Sequence, residues 1–208
     1  MSETYALGDE ARRRLGFLSQ AETAALAHDG HFLLPSPGSV LVSRDVRIDG
    51  GAVLWPGTIL QARDGGSIVV GRETQIFTGT RIVASGGFVS IGAQAEIGEE
   101  GGFTVKAGTG ESIEIGDNAR LLGGGSLTLS NRIGRGAQIL GPIRCQNCFL
   151  GDGGSYRDPE PDTRGGVLKG SGVARNIEVP AGSVIQAFGP FSEGTLRPQS
   201  YFHPKTGG

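Results

Sequence analysis

Residues 115–145 read IGDNARLLGGGSLTLSNRIGRGAQILGPIRC, and this stretch decides the fold. An apolar residue recurs at every sixth position, namely at Ile115, Leu121, Leu127, Ile133, Ile139 and Cys145. An amphipathic helix has a period near 3.6 and a flat strand a period of about 2, so a period of six fits neither. The chain must therefore turn a corner at each repeat, which predicts a parallel β-helix of stacked coils.

The same period extends back without a break to Ile91 through Phe103 and Thr109. It recurs in other phases in three further blocks, which begin at Val42, Val70 and Val167. Together the blocks cover most of residues 40–187. Because three hexads make one triangular coil, they predict about six coils.

Three interruptions divide the hexads. The phase changes at residues 61–69 and 83–90 predict loops that leave the corners of the coils. Residues 150–166, LGDGGSYRDPEPDTRGG, contain no hexad and predict the main loop excursion. Because functional residues concentrate on loops held by rigid scaffolds, this excursion is the first place to look for a site.

Residues 1–39 predict a short helical cap on the first coil. Ser19 with Glu22 three residues later matches a capping box, and Gly30 fits a left-handed helix terminator. Residues 32–34, Phe-Leu-Leu, would then cover the open end of the β-helix, because an uncapped end exposes unpaired backbone and core.

Residues 188–208 form a C-terminal tail that is too aromatic for a solvated segment. We expect it to pack on the coil or on a neighbouring subunit. The aromatic residues concerned are Phe188, Phe191, Tyr201 and Phe202.

Composition limits the function classes. The chain has 208 residues with a formal net charge of −2, so nothing favours nucleic acid or an anionic membrane as a partner. No apolar run approaches the ~20 residues that span a bilayer, and the N-terminus lacks the apolar segment of a signal peptide. The 38 glycines suit repeat corners. We therefore expect a cytoplasmic protein of one domain.

The hexads resemble those of the hexapeptide-repeat acyltransferases. The motifs that carry the resemblance are VGRETQIFTGTRI (70–82), IGAQAEIG (91–98), IGDNARLL (115–122) and RIGRGAQILG (132–141). The resemblance implies an all-β fold, a left-handed parallel β-helix of hexapeptide repeats. It also implies a homotrimer that transfers an acyl group from acetyl-CoA or another acyl-CoA to a small amine or sugar.

Residues 15–98 are similar to a narrower group. The run LGFLSQAETAALAHDGHFLLPSPGSVLVSRDVRIDGGAVLWPGTIL (15–60) resembles the linker and first coils of bifunctional N-acetylglucosamine-1-phosphate uridyltransferase/glucosamine-1-phosphate acetyltransferase. That family uses a coil histidine in acetyl transfer, whereas this chain has no histidine between His31 and His203. The alternative is thus a non-catalytic trimeric scaffold or a sugar- or nucleotide-binding module.

His203 is the candidate catalytic base. Acyl transfer needs a group that titrates near neutral pH to deprotonate the acceptor beside the thioester, and a tail that reaches a cleft could supply it. A surface histidine in a solvated tail is the other reading. The same lack of coil histidines argues against a zinc site of the three-histidine type, so no metal is expected.

Charged and aromatic residues of the excursion are candidates for substrate binding, because arginine can hold a phosphate or carboxylate and aspartate can bind a sugar hydroxyl or an amine. A solvated loop with local ion pairs is an equally weighted reading. These candidates are Asp152, Tyr156, Arg157, Asp158 and Arg164. Lys106 and Lys169, which follow inward positions, are the candidates for coenzyme A phosphates. Solvent-facing lysine is the alternative for both.

Cys145 and Cys148 form an isolated CxxC pair. A zinc ribbon needs a second such pair, so the motif alone does not predict a metal. Because Cys145 falls on an inward hexad position, we expect a buried structural thiol.

Overall fold

The computed structural model of the chain describes residues 3–203, and the side chains from residue 8 onward. The fold is an all-β, left-handed parallel β-helix, as the sequence predicts. The strands lie on three faces, here called A, B and C in the order in which each coil meets them. The predicted tail beyond residue 203 lies outside the described residues.

Face A carries the first strand of each coil. Its strands are β1 Leu41–Val42, β4 Ile59–Arg63, β7 Arg81–Ser85, β10 Thr104–Ala107, β13 Ser126–Thr128, β16 Ile143–Gln146 and the second half of β18 Val167–Arg175. Face B is a seven-stranded parallel sheet of β2 Val46–Ile48, β5 Ser67–Val70, β8 Phe88–Ile91, β11 Ser112–Ile115, β14 Asn131–Ile133, β17 Phe149–Leu150 and β19 Glu178–Val179.

Face C closes each coil. Its strands are β3 Val53–Leu54, β6 Gln75–Ile76, β9 Glu96–Ile97, β12 Arg120–Leu122, β15 Gln138–Leu140, the first half of β18, and β20 Ser183–Pro190. The seven strands of face B correspond to seven coils, one more than expected. In the last coils, the long strands β18 and β20 each turn from face C onto face A. The last described strand, β21 Thr195–Pro198, pairs antiparallel with β20.

The inward hexad positions form the core. Leu121, Leu127, Ile133, Ile139 and Cys145 are buried as predicted. Burial of each large aliphatic side chain contributes roughly 1.5–3 kcal/mol. The predicted register breaks at two places. Thr109 is exposed at a corner, and Val105 and Ala107 point inward instead. In the block that begins at Val167, Val167 and Val173 point outward, and Leu168 and Ala174 are the buried residues.

The loops predicted at residues 61–69 and 83–90 are wrong. Each of these segments is made of two extended strands joined by a tight corner, in which Asp64, Gly65 and Gly86 have positive φ. The extra residues of the lengthened face-A strands place Ala62 and Ala84 inward, one above the other in the register. Small side chains fit the narrow interior beside a corner, so the strand lengthens instead of looping out.

Two helices precede the coils, α1 Glu3–Arg14 and α2 Gln20–Asp29. The capping box at Ser19 and Glu22 is confirmed, because each residue's backbone N–H donates to the other's side chain. The left-handed terminator predicted at Gly30 is wrong: its φ is −81°, and His31 takes the positive φ of 53°. Gly30 instead continues the helical turn with a bond to Leu26.

The chain between α2 and β1 contacts the first coil. Phe32 is buried against the core, and Leu33 pairs with Val53 through a parallel bridge. The side chain of Leu33 is nevertheless 64% exposed, so Phe32 covers the interior and Leu33 does not. Single 3-10 turns lie at Pro37–Ser39, Pro161–Thr163, Phe191–Glu193 and Gln199–Phe202.

Candidate functional site

A cavity of about 260 Å³ lies on the outer surface of face C, near the last coils. Strands β12, β15, β18 and β20 form its floor, the excursion forms one wall and the tail forms the other. The lining residues are Arg120, Gln138, Leu140, Tyr156, Arg164, Val167, Lys169, Val184, Gln199, Phe202 and His203. The cavity thus joins three segments that are far apart in sequence.

The floor follows from strand alternation. Because successive side chains of a strand point to opposite faces, the residues beside the buried Leu121 and Ile139 point outward. The parallel register aligns one such row in the order Arg120, Gln138, Val167 and Val184. A second row aligns Leu140 with Lys169. The floor therefore carries polar, cationic and apolar groups side by side.

The excursion is an ordered loop. Its two ends are joined by a bridge between Gly154 and Arg164, with the Gly154 N–H donating to the Thr163 carbonyl at 2.8 Å. The Arg164 guanidinium donates through Nε to the Asp158 carbonyl at 2.9 Å. The loop is thus closed on itself by backbone and side-chain bonds, and it holds Arg164 half-buried at the cavity.

The tip of the loop is tied to face C by an ionic and aromatic cluster. Arg120 donates to Glu96 at 2.7 Å and its guanidinium carbon lies 3.9 Å from the centre of the Tyr156 ring. The Tyr156 hydroxyl and Arg157 approach the same carboxylate at 3.4 and 3.3 Å. The side chains of Glu96 and Arg120 are 16% and 19% exposed, so this cluster is better shielded than a surface ion pair.

The tail docks against the same loop. The buried Gln199 side chain donates to the Gly165 carbonyl at 2.7 Å, and the Ser200 N–H donates to Asp162 at 2.8 Å. Strand β21 supports this turn by pairing with β20. The turn Gln199–Phe202 then brings Phe202 and His203 over the cavity, with the Lys169 ammonium 5.6 Å from the centre of the Phe202 ring.

The tail aromatics have different environments. Phe191 is buried, and Phe202 is half-buried at the cavity. Phe188 and Tyr201 are 79% and 58% exposed. The described part of the tail packs on the chain's own coil, although half of these rings face outward.

Four of the candidate residues line the cavity together: Tyr156, Arg164, Lys169 and His203. Arg157 and Asp158 belong to the loop wall without lining the cavity. Arg157 pairs with Glu96, and Asp158 bonds within the loop. Lys106 is exposed on face A, whereas Lys169 lies on face C, so the two lysines predicted for coenzyme A are on different faces.

Asp152 lies outside the cavity lining and ties two coils together. Its carboxylate accepts from the Arg135 N–H at 2.8 Å and from the Arg132 guanidinium at 2.7 Å. The backbone bond from Arg135, followed by the charge of Arg132, lowers the pKa of Asp152. Asp117 accepts from the Ala93 N–H in the same way two coils earlier, which indicates a structural role for both.

Sequence reasoning missed Gln138, Arg120 and Glu96. All three occupy outward positions of face C strands, and only the stacking of coils brings Glu96 beside the loop tip 60 residues away. The signal available in the sequence is a polar residue directly before an inward aliphatic one, as in Arg120-Leu121 and Gln138-Ile139. That pattern marks an outward position but not a site.

The cysteine pair lies in the core. Cys145 and Cys148 are free and buried, as expected for Cys145. A hydrogen bond with Cys148 and burial raise the pKa of Cys145 well above its usual value. Within residues 3–203, no group of three histidine, cysteine, aspartate or glutamate residues is placed to hold a metal ion. In the same range, no helix combines the length and apolarity needed to cross a membrane.

Comparisons with known proteins add little. No family model matches the chain, and no curated protein is similar to it. Among solved structures, it is similar to a Bacillus cereus protein provisionally assigned as an acetyltransferase, with 12% identity over 77% of each chain and a TM-score of 0.32. At this TM-score the similarity carries no weight for fold or function.

Proposed function

We propose that this chain is an acyltransferase-like hexapeptide-repeat protein, which transfers an acyl group from acyl-CoA to a small amine or aminosugar held in the face C cavity. One observation carries the proposal: His203 lines the same cavity as Tyr156, Arg164 and Lys169, although the sequence separates the imidazole from the loop by some forty residues. A base, a phenol and two cations thus lie next to an acceptor-sized space. Acyl transfer needs the base, and the cations and the phenol can bind the acceptor and the phosphates of the donor.

The reaction is direct transfer. The acceptor nitrogen attacks the thioester carbonyl, and His203 takes the proton that the nitrogen loses. The tetrahedral intermediate collapses with cleavage of the carbon–sulfur bond, and the coenzyme A thiolate leaves and is protonated. The cavity is too small for the whole coenzyme, so only the thioester end enters, beside the exposed Lys169 at the mouth.

Replacement of His203 tests the base. Thiol release from acetyl-CoA in the presence of glucosamine should fall by about 10²-fold or more in His203→Gln, because no other imidazole lies among the lining residues. His28→Gln is the matched control, since His28 is exposed at the end of α2 and should leave the rate unchanged. Full turnover by His203→Gln would exclude His203 as the base.

Replacement of the two lysines tests the donor site. Lys169→Ala should raise the KM for acetyl-CoA several-fold, because a phosphate contact at the cavity mouth is lost. Lys106→Ala removes a lysine that is also exposed, but on face A, and should leave the KM unchanged. Equal effects of both variants would contradict the placement of the donor at face C.

The second candidate function is a non-catalytic trimeric scaffold or a sugar- or nucleotide-binding module. One observation favours it: among the described residues, no side chain hydrogen-bonds to the His203 ring, whereas catalytic bases are usually oriented by a third group. A raised Tm with acetyl-CoA or coenzyme A would support the acyltransferase proposal. No shift with either ligand, together with no thiol release, would favour the scaffold. Light scattering tests the expected homotrimer.

A further inference from the structure

Gln138 stands apart from the other polar groups of the cavity. It lies in the middle of the floor on β15 and is 94% buried, with 6% of its surface exposed. Among the described residues, no side chain or carbonyl hydrogen-bonds to its carboxamide. By contrast, the buried carboxamide of Gln199 in the wall bonds to Gly165.

An unpaired carboxamide in this place indicates a missing partner. Burial of an amide without hydrogen bonds is unfavourable, so buried polar groups are almost always paired. No fully enclosed side-chain nitrogen or oxygen of the described residues lacks a partner, and therefore the Gln138 amide keeps access to the cavity. Water or a ligand reaches it through that cavity, and a ligand that displaces the water must present a donor or an acceptor to a neutral amide.

Arg164 supplies the second recognition element. Its Nε and one terminal nitrogen donate to the Asp158 carbonyl, which leaves the other terminal nitrogen free to donate. Among the described residues it forms no ion pair, and none of the described lining residues is Asp or Glu. A half-buried guanidinium without a counter-ion favours an anionic oxygen in the cavity.

The size of the cavity limits the ligand. At about 30 Å³ for one water molecule, 260 Å³ holds on the order of ten non-hydrogen atoms. We propose that the cavity binds a small hydroxylated organic anion, whose carboxylate or phosphate meets Arg164 and whose hydroxyl meets Gln138. Gln138 is the specificity-determining residue. This inference rests on the proposed function, in which the same cavity holds the acceptor. The preferred acceptor is then a hydroxylated amine that also carries a carboxylate or phosphate.

Four probes separate the two contacts in calorimetric titrations without acyl-CoA. Erythronate has a carboxylate and hydroxyls, butyrate only the carboxylate, and erythritol only the hydroxyls. Glycerol 3-phosphate replaces the carboxylate by a phosphate and distinguishes the two anions. The wild-type chain should bind erythronate or glycerol 3-phosphate about tenfold more tightly than either butyrate or erythritol, because only they satisfy both groups.

The variants assign the contacts. Gln138→Leu should weaken, by about tenfold, the binding of whichever of erythronate and glycerol 3-phosphate binds more tightly. It should leave the binding of butyrate unchanged. Arg164→Gln should weaken the binding of that hydroxylated anion and of butyrate, and should leave erythritol binding unchanged. Gln75→Leu is the matched control. Gln75 belongs to the same outward row of face C, which runs through successive coils as Gln75, Glu96, Arg120 and Gln138, and it lies outside the cavity.

Several results would overturn the inference. They are the absence of binding of all four probes at millimolar concentration, equal binding of the hydroxylated and simple anions, and a Gln138→Leu variant indistinguishable from Gln75→Leu. If Gln138→Leu does not fold, NMR of the wild-type chain decides: the Gln138 carboxamide signals should shift with erythronate or glycerol 3-phosphate but not with butyrate. Because the titrations contain no acyl-CoA, they test the site alone. Probe binding here, combined with no thiol release in the separate acetyl-CoA assay, would reject the proposed reaction and keep this site.

Discussion

Two neighbouring residues of β12 represent the two regions of this molecule. Leu121 points into the coil and is fully buried between the aliphatic side chains of adjacent coils. Arg120 points outward, donates a hydrogen bond to Glu96 and stacks over the Tyr156 ring. The interior repeats one rule in every coil. The face C cavity uses the outer side of the same strands, together with a loop and a tail that occur once.

The difference is one of energetics. Inside the coils, apolar burial is large and each side chain contributes without a specific partner. Around the cavity, charges and amides depend on single partners, and each hydrogen bond contributes about 1 kcal/mol net. Substitutions inside should therefore lower the stability of the fold, and substitutions at the cavity should change binding first.

The largest expected effect belongs to the interior. Leu121→Ala should lower the free energy of unfolding by about 3 kcal/mol, because it leaves a cavity in a closely packed core. Denaturant unfolding measures it. Leu129→Ala is the control, since Leu129 is 38% exposed at a corner and its loss should change stability by less than about 0.5 kcal/mol. A loss below about 1 kcal/mol at Leu121 would remove the contrast between the regions.

The contact between tail and loop should be worth less. Gln199→Ala should lower the free energy of unfolding by about 1–2 kcal/mol, because the Gly165 carbonyl loses its buried donor. Amide hydrogen exchange should also quicken in residues 154–166. Gln186→Ala, on the exposed side of β20, should change neither. If the amides of residues 154–166 exchange at the same rate in both variants, the tail does not stabilise the loop.

The smallest effect is expected at Asp152, with a defined pH dependence. Asp152→Asn should cost about 1 kcal/mol at neutral pH, a value reduced by the 46% exposure of the side chain. Because folding lowers the pKa of Asp152, its contribution is complete above the unfolded pKa and disappears as pH falls through the folded value.

Unfolding measured from neutral pH to below about pH 4 should thus show wild type and Asp152→Asn converging in acid. Asp49→Asn is the comparison, because the Asp49 carboxylate pairs with Arg47 alone among the described residues. A difference in unfolding free energy between wild type and Asp152→Asn that grows as the pH falls would contradict the assigned hydrogen bonds.

The sequence predicts the interior well where hexads are regular. From Leu121 to Cys145, every sixth residue is buried, because each strand and corner together span six residues. At Thr109 the spacing of six is coincidental, since β10 and β11 are longer and shift the phase. The spacing of apolar residues does not distinguish a loop from a longer strand with a tight corner. The longer strand forms only if small side chains, here Ala62 and Ala84, fit into the interior.

The site is less accessible to sequence reasoning. Tyr156 and Arg164 can be singled out because they interrupt the repeat, and His203 because it follows the last coil. Gln138 resembles any outward residue of the repeat, and its isolation is visible only when loop and tail cover it. Asp152 shares the loop with Tyr156, yet its neighbours lie in the preceding coil.

The proposed function requires that the face C cavity holds the reacting groups. Leu140→Trp tests it most directly, because Leu140 lines the cavity and is not fully buried, so a larger ring fills the space without entering the core. We predict that the variant keeps the wild-type Tm within a few degrees and loses acetyl-CoA-dependent thiol release with glucosamine. Wild-type turnover by a folded Leu140→Trp chain would contradict the account.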